Sequence, residues 1–180
     1  KWENITFAEA LRELADKAGV KIQRLDFEDK VWRRKERLMQ INHFASEFFN
    51  YVLKKTGYGE KALSYLKSRQ INPKIIDKFQ LGYAPSSWDS LSSYLRKKKF
   101  EMGEVLDAGL AVRGEKGSLY DRFRGRLVFP IKDNRGNTIG FSGRSLDEEE
   151  KAAKYINTPE TTLYHKRESL YGIDLAKEAI

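Results

Sequence analysis

The hydrophobic pattern of this sequence changes near residue 100, and this change limits the possible fold more than any other feature. Before it, apolar residues such as Ile41 and Phe48 recur at helical spacing, which predicts a helix over residues 38–55. After it, short apolar runs alternate with turn residues, which predicts strands over residues 126–132 and 137–142. The sequence therefore predicts an α+β fold, with N-terminal helices followed by a small mixed or antiparallel sheet.

Further helices are predicted from the same spacing and from residues that cap helix ends. They cover residues 4–18, 60–69, 73–79 and 88–99, and residues 106–112 close a further short helix and enter a strand. Asn72 and Pro73 mark the start of one of them, as cap and first helical residue. Pro130 lies inside a predicted strand and favours an edge or a bulge there, because proline has no N–H to donate.

The composition narrows the function classes. Without cysteine the chain has no disulfide, no thiolate nucleophile and no cysteine-based zinc site, and His43 and His165 are too far apart to pair at helical spacing. No apolar run approaches the ~20 residues that a membrane helix needs, and no signal peptide is recognisable, so we expect a cytoplasmic protein without membrane contact. The net charge of +8 favours a polyanionic partner, although basic surfaces also occur on proteins that bind no nucleic acid.

Arginines stand at alternate positions at the end of Tyr120–Arg126. On an extended segment Arg122, Arg124 and Arg126 would point to one face, about 6–7 Å apart. Such a row suits a sugar–phosphate backbone, because guanidinium groups hydrogen-bond phosphate oxygens in pairs. The same pattern also fits an exposed strand face that arginines keep soluble.

Two later regions bring polar groups close together. Gly140–Arg144 combines an arginine with glycines that allow a backbone or phosphate to approach closely, although tight hairpins share this pattern. Lys154–Thr161 and Tyr164–Lys166 offer ammonium groups, aromatic rings and an amide, a combination that suits single-stranded nucleic acid. An ordinary turn-rich loop is the alternative.

Two charged runs are interpreted as solvated. Arg96–Lys99 closes a predicted helix, where basic residues complement the helix dipole, and nucleic-acid contact is the alternative. Asp147–Glu150 is the densest acidic run, but consecutive side chains do not converge on one ion in regular structure. Because nucleotidyl transfer generally needs carboxylates that hold magnesium, we predict neither a metal site nor catalytic residues in this chain.

In their order and spacing, these stretches resemble the bacterial replicative DNA primase family. The resemblance covers about residues 60–175. The motifs that carry it are Tyr65–Asn72, Phe79–Asp89, Ala108–Leu110, Tyr120–Ile131, Ile139–Arg144, Lys154–Thr161, His165–Lys166 and Leu170–Gly172. Two positions depart from the family pattern, because Gln70 and Ser142 stand where glycine is usual.

The resemblance implies a place within a larger enzyme. Residues 41–180 would form the N-terminal subdomain of the primase RNA polymerase core, before a Toprim domain that holds Mg²⁺ or Mn²⁺. Residues 1–24 would be the C-terminal helix of a domain that binds Zn²⁺ through earlier residues, and residues 25–40 a linker. Because the chain lacks an initial methionine and ends inside a predicted helix, we expect further sequence on both sides.

The resemblance also implies a function. A primase is a DNA-directed RNA polymerase that makes short RNA primers at the replication fork, in the nucleoid. This part would bind the single-stranded DNA template, the RNA–DNA product and nucleoside triphosphates (NTPs), it would be inactive alone, and the replicative helicase would bind elsewhere. The rival hypotheses are a non-catalytic single-stranded nucleic-acid-binding module and an interaction scaffold.

The resemblance assigns nucleic-acid binding to a set of basic, aromatic and amide side chains. They are Arg69, Arg122, Arg124, Arg144, Lys154, Tyr155, Asn157 and Lys166. Arg144, Lys154 and Lys166 would also contact NTP phosphates. Arg126 is less certain, because a role in supporting the fold explains it equally well.

Overall fold

The computed structural model describes residues 26–147 and 153–176, together with residues 10, 14–15 and 17–19. The chain forms two compact units, Lys1–Arg34 and Lys35–Ile180. In the first unit, the described residues up to Ala18 are helical and Gly19 has φ +66°, in agreement with a helix that ends there. The remaining residues of the helix predicted over 4–18 lie outside the described part.

Helix α1 covers Asp26–Lys55. Its buried stripe, which includes Leu38, Ile41, Ala45 and Phe49, confirms the helix predicted from residue 38. The helix also includes residues 26–37, a stretch of mainly charged residues that is typical of either a solvated helix or a linker. Such residues favour helix without leaving an apolar period that a sequence pattern can detect.

Five further helices follow in the second unit. They are α2 (Glu60–Ser68), α3 (Pro73–Lys78), α4 (Ser90–Lys97), α5 (Met102–Asp107) and α6 (Ile173–Ala176), and a 3₁₀ turn at Gly57–Gly59 precedes α2. Asn72 caps α3 as predicted, since its Oδ1 accepts a hydrogen bond from the Ile75 N–H at 3.0 Å. The helix predicted over 88–99 is two residues shorter at each end, and Trp88 remains in the preceding loop.

The strands form two antiparallel sheets, which confirms the predicted α+β class. They are β1 (Gly82–Ala84), β2 (Ala111–Arg113), β3 (Leu119–Asp121), β4 (Arg126–Lys132), β5 (Thr138–Ser145) and β6 (Tyr155–Asn157). The larger sheet has the order β1-β4-β5-β6, and β2 pairs with β3. In the described part of the chain, every helix is too short or too polar to span a lipid bilayer.

Pro130 occupies an edge, as its lack of an N–H predicts. Strand β1 pairs only with residues 126–128 of β4, so Pro130 lies beyond the end of β1. A register shift follows directly, between Ile131 and Lys132. Pro130 therefore lies at an edge and close to a register irregularity, which are the two placements that the sequence predicted as alternatives.

The two faces of the larger sheet cover separate apolar clusters. One is centred on the rings of Phe49, Phe123 and Phe141, which meet edge to face at centroid distances of 5.6–6.4 Å. The other joins Leu127 of β4 to Leu53 of α1 and to side chains of α2 and α3. Because β4 and β5 are held between these clusters, the residues at their ends have fixed positions.

Helix α2 ends in a left-handed residue, Gln70, whose φ is +59°. The Ile71 N–H bonds to the Leu66 carbonyl and the Gln70 N–H to the Lys67 carbonyl, which is the Schellman pattern. This conformation explains why glycine is usual there in the family that the sequence resembles, because a side chain costs about 1 kcal/mol in this region.

We expect Gln70→Gly to raise the free energy of unfolding by about 0.5–1 kcal/mol, since glycine adopts this φ without a steric cost. Thermal unfolding monitored by circular dichroism measures the change. Lys67→Gly, in the last turn of the same helix, is the control and should destabilise by about 1 kcal/mol. A lower melting temperature for Gln70→Gly would contradict the argument.

Candidate nucleic-acid interface

An arginine of β5 lies between two tyrosine rings, and a second arginine lies beside one of these rings. Arg144 of β5 lies with its guanidinium carbon 4.3 Å from the centroid of Tyr65 and 6.0 Å from that of Tyr155. Arg69, at the end of α2, lies 5.3 Å from the same Tyr65 centroid. We call Tyr65, Arg69, Arg144 and Tyr155 the Tyr65 cluster. It brings together three of the residues that the resemblance assigns to nucleic-acid binding.

The register of the sheet explains this meeting. Arg144 stands directly opposite Tyr155 of β6, and Ser142 stands opposite Asn157. Residues opposite one another in an antiparallel pair share a face, and so do alternate residues of one strand. Asn157 therefore lies on the face that carries the Tyr65 cluster, two residues further along β6 than Tyr155.

The Tyr65 cluster combines a recessed cation with exposed partners. Arg144 is only 9% exposed, whereas the Tyr155 ring is 56% exposed and Arg69 is on the surface. The guanidinium of Arg144 makes ring contacts but donates no hydrogen bond to any described residue. Its N–H groups are thus held in place by the two rings and remain available to an anion.

A second arginine is held by aromatic rings near the start of α4. The Arg124 guanidinium carbon lies 4.2 Å from the Trp88 centroid and 4.8 Å from the Tyr120 centroid. Trp88 meets Tyr120 edge to face at 5.2 Å, and it is 62% exposed. We call Trp88, Tyr120 and Arg124 the Trp88 cluster. The sequence analysis did not select Trp88, although a tryptophan in the polar loop Ser86–Asp89 was a visible signal.

Asp121 holds the Trp88 cluster in place. Its carboxyl group is buried and accepts hydrogen bonds from the N–H groups of Leu91 (2.7 Å) and Ser92 (3.0 Å) and from the Ser92 hydroxyl, so it caps α4. The Asp121 N–H donates to the Trp88 carbonyl at 2.8 Å, and its carbonyl accepts from Arg124 Nη1 at 2.6 Å. Burial raises the pKa of Asp121, against the opposing effect of the Ser92 hydroxyl and the two N–H donors.

The prediction that Arg122, Arg124 and Arg126 form a row on one face of an extended segment is wrong. Strand β3 ends at Asp121, β4 begins at Arg126, and between them Gly125 has φ +61°, so the segment turns instead of remaining extended. The cause is tertiary: the Arg122 N–H bonds to the Leu110 carbonyl and the Gly125 N–H to the Pro85 carbonyl. The three arginine side chains consequently lie in different environments.

Of the two arginines besides Arg124, one is buried and the other is half-buried. Arg126 is 4% exposed, and its Nη1 donates to the carbonyls of Ala153 (2.9 Å) and Lys154 (3.2 Å), so it supports the fold. Arg122 is half-buried, and burial lowers the pKa of its guanidinium. Its buried Nε has no hydrogen-bond partner among the described residues. Of the three arginines, Arg124 is the one stacked beside an exposed ring.

The two clusters and Lys154 lie at the same end of the larger sheet. Arg126 pairs with Ser145 where β4 begins and β5 ends, and Arg124 precedes this pair by two residues. The Ser145 N–H donates to the Lys154 carbonyl at 2.9 Å, which brings the exposed Lys154 to that end as well. We call this end of the sheet, with Arg69, Arg124, Arg144, Lys154 and Tyr155, the basic end.

Lys166 lies in a loop that packs against a different part of β5. Tyr164 fills the space beside Gly140, four residues before Arg144. Glu160 shapes the loop by accepting bonds from the Lys166 N–H (3.0 Å) and the His165 ring (3.1 Å). The hydrogen bond from the Lys166 N–H lowers the pKa of Glu160, and His165 lowers it by a smaller amount. The structure therefore does not show Lys166 joining the Tyr65 cluster.

The glycines of β5 have neighbours within the protein. A Cβ on Gly143 would lie 2.6 Å from Phe123 Cδ1, and one on Gly140 would lie 3.2 Å from Thr158 Cβ and Tyr164 Cγ. The close approach that these glycines allow is thus used by side chains of the same chain. The sequence had suggested that these glycines admit a ligand or form a tight hairpin, and neither interpretation included packing against side chains of the same chain.

Comparison with known proteins decides the family. A family model for the N-terminal domain of the DNA primase catalytic core matches residues 48–177. The chain belongs to the DNA primase family. The DNA primase of Deinococcus radiodurans is 42% identical over 179 residues, which are 99% of this chain and 29% of that protein.

Solved primase structures share the fold. A primase catalytic domain bound to single-stranded DNA matches with a TM-score of 0.73 and 34% identity, over 82% of this chain and 46% of that one. The zinc-binding and RNA polymerase domains of the Aquifex aeolicus primase match with a TM-score of 0.73 and 36% identity, over 99% of this chain and 42% of that one. The chain thus spans less than half the length of each of these primases.

The described part of this primase chain does not fit a metal site. Among its residues, no group of three His, Asp or Glu side chains could hold an ion. In the acidic run, Asp147 is exposed and Glu148–Glu150 lie outside the described residues. The side chains at the basic end are suited to anions, because they are cations and aromatic rings.

Proposed function

We propose that this chain is the part of a primase RNA polymerase core that holds the single-stranded DNA template at the basic end of the sheet. The observation that carries the proposal is the Tyr65 cluster, where Arg69 and Arg144 both lie against the Tyr65 ring and Arg144 also lies near the Tyr155 ring. A solved relative that is 34% identical is bound to single-stranded DNA, which supports this choice of ligand.

The geometry favours a single strand over a duplex. Exposed rings give unpaired bases a surface to stack on, and guanidinium groups beside the rings reach the phosphates. Trp88 and Tyr155 supply such rings, 62% and 56% exposed, and each lies against an arginine. In a duplex the bases are already stacked and paired, so these rings would contribute much less to binding.

The remaining assignments belong to the same proposal. Asn157 would add a polar contact on the template face, Arg122 and Lys166 would bind further phosphates, and the RNA–DNA product would follow the same surface. Incoming NTPs would place their phosphates near Arg144, Lys154 and Lys166.

The whole protein would make RNA primers for DNA replication in the cytoplasm, at the replication fork, and would bind the replicative helicase through other regions. We propose that Mg²⁺ or Mn²⁺ for nucleotidyl transfer and Zn²⁺ are held by other domains. Residues 1–24 would close the zinc-binding domain, and residues 25–40 would link it to the polymerase core. The chain described here would then bind and position nucleic acid without performing the transfer itself.

The test is Arg124→Ala. We expect the dissociation constant for single-stranded DNA to rise about tenfold, because one charge-assisted phosphate contact, worth roughly 1.5 kcal/mol, is lost. The plot of log affinity against log salt should become shallower by about 0.7. Fluorescence anisotropy of the full-length protein with a labelled 18-nucleotide strand at several salt concentrations measures both quantities.

Lys55→Ala is the matched control. Lys55 is an exposed cation in the last turn of α1 that makes no ion pair or ring contact with the described residues of either cluster, so its removal should change the affinity less than twofold. Unchanged affinity and salt dependence for Arg124→Ala would refute the assignment of Arg124. Equal affinity of the wild-type protein for single strand and duplex would refute the proposed preference for a single strand.

A further inference from the structure

The basic run at the end of α4 has no role in the site described above. Arg96, Lys97, Lys98 and Lys99 are all exposed. The run lies at the opposite end of α4 from Trp88, which stands two residues before the first residue of the helix. The eight residues of α4 separate the two ends by about 12 Å, the length of two to four nucleotides of a single strand.

The backbone that carries these cations is fixed. Arg37 Nη2 donates to the Lys99 carbonyl at 2.8 Å, and the Arg37 guanidinium carbon lies 4.2 Å from the centroid of the Phe100 ring. The Lys98 ammonium lies 4.9 Å from the Phe44 centroid and 5.8 Å from the Tyr94 centroid. A cation that is positioned before binding loses less conformational freedom when it meets a phosphate.

Acidic neighbours only partly offset this charge. Glu104 forms an ion pair with Arg37, in which Glu104 Oε1 lies 2.7 Å from Arg37 Nε, and this contact lowers the pKa of Glu104. Glu47 lies 3.5 Å from His43, and the Asp89 carboxylate accepts a hydrogen bond from Ser93 at 3.1 Å. Glu101 is the remaining exposed carboxylate beside the run. Four consecutive cations therefore give this surface a positive potential.

We propose that Arg96–Lys99 is a second phosphate-binding surface for the same single strand that stacks on Trp88. The strand would run from Trp88 along the exposed side of α4 to the basic run. A strand too short to span α4 would bind at Trp88 alone. This inference rests on the proposed template-binding function and extends it to a longer path.

The test compares two strand lengths. The double variant Lys97→Gln/Lys98→Gln removes two charges and leaves Lys99, whose φ is +65°, unchanged. In the full-length protein we expect its affinity for an 18-nucleotide thymidylate strand to fall about tenfold, with the salt slope shallower by about 1.4. Its affinity for a two-nucleotide strand, which is too short to span α4, should stay within twofold of wild type when measured by competition.

Lys55→Gln/Lys78→Gln removes two exposed lysines elsewhere and should leave both affinities unchanged, while thermal unfolding confirms that each variant is folded. Lys78 lies beside Pro130 and Lys132, at the other end of β4 from Arg126. Unchanged binding of the long strand by Lys97→Gln/Lys98→Gln would overturn the second surface and leave the Trp88 site intact. Equal weakening for both lengths would also overturn it, since the lysines would then act without a path. If wild type binds neither strand, the proposed function itself fails.

Discussion

Asp121→Ala is expected to lower the free energy of unfolding by about 3 kcal/mol, because two buried N–H groups and a hydroxyl would lose their acceptor together. These donors are the N–H groups of Leu91 and Ser92 and the Ser92 hydroxyl, and Asp121 itself is only 2% exposed. Urea unfolding of the full-length protein, monitored by a probe within this domain, measures the change.

Two variants make this test specific. Asp121→Asn keeps one carbonyl acceptor and should lose less stability than Asp121→Ala. Asp89→Ala removes an exposed carboxylate at the start of the same helix, where Asp89 makes no capping bond, and should cost about 0.5 kcal/mol or less. Equal losses for Asp121→Ala and Asp89→Ala would show that the buried hydrogen bonds contribute little.

Arg144→Ala is expected to weaken single-strand binding about twentyfold, the largest effect of any single arginine, because it removes roughly 1.8 kcal/mol of charge-assisted binding. The guanidinium is already positioned by Tyr65 and Tyr155, so little freedom is lost when a phosphate binds. Anisotropy titration against salt measures the affinity, and the slope should become shallower by about 0.7.

Arg144→Lys separates charge from geometry. It keeps the positive charge but lacks the planar fork that stacks on a ring and binds two phosphate oxygens, so its affinity should fall between that of wild type and Arg144→Ala. Tyr65→Leu leaves Arg144 in place without its nearer ring and should give a smaller loss than Arg144→Ala. Wild-type affinity in Arg144→Ala would contradict a template role for the Tyr65 cluster.

The sequence predicted an element well when the residues that determine it lie close together in the sequence, and less well when they lie far apart. Helices with an apolar stripe or a local cap, such as α1 from Leu38 and α3 from Asn72, were predicted because their signals lie within a few residues. The predicted second strand stopped at Ser142, whereas β5 continues to Ser145. This extension depends on pairing with Arg126–Val128, which no local pattern reports.

The site shows the same limit more sharply. The resemblance selected Arg69, Arg144 and Tyr155, but the contact of Arg144 with Tyr65 depends on packing between α2 and a residue about 80 positions later. The alternate spacing of arginines predicted a row, and hydrogen bonds from distant carbonyls turned the segment instead. Sequence reasoning could identify charged groups here, but it could not determine which of them become buried.

Arg126 and Ser145 close the base of the connection between β5 and β6. The Ser145 N–H holds the Lys154 carbonyl, and Arg126 holds the carbonyls of Ala153 and Lys154. These bonds make the start of β6 part of the framework of the sheet. A substitution of Arg126 should therefore alter DNA binding indirectly, by displacing Lys154 and Tyr155 from their place beside Arg144.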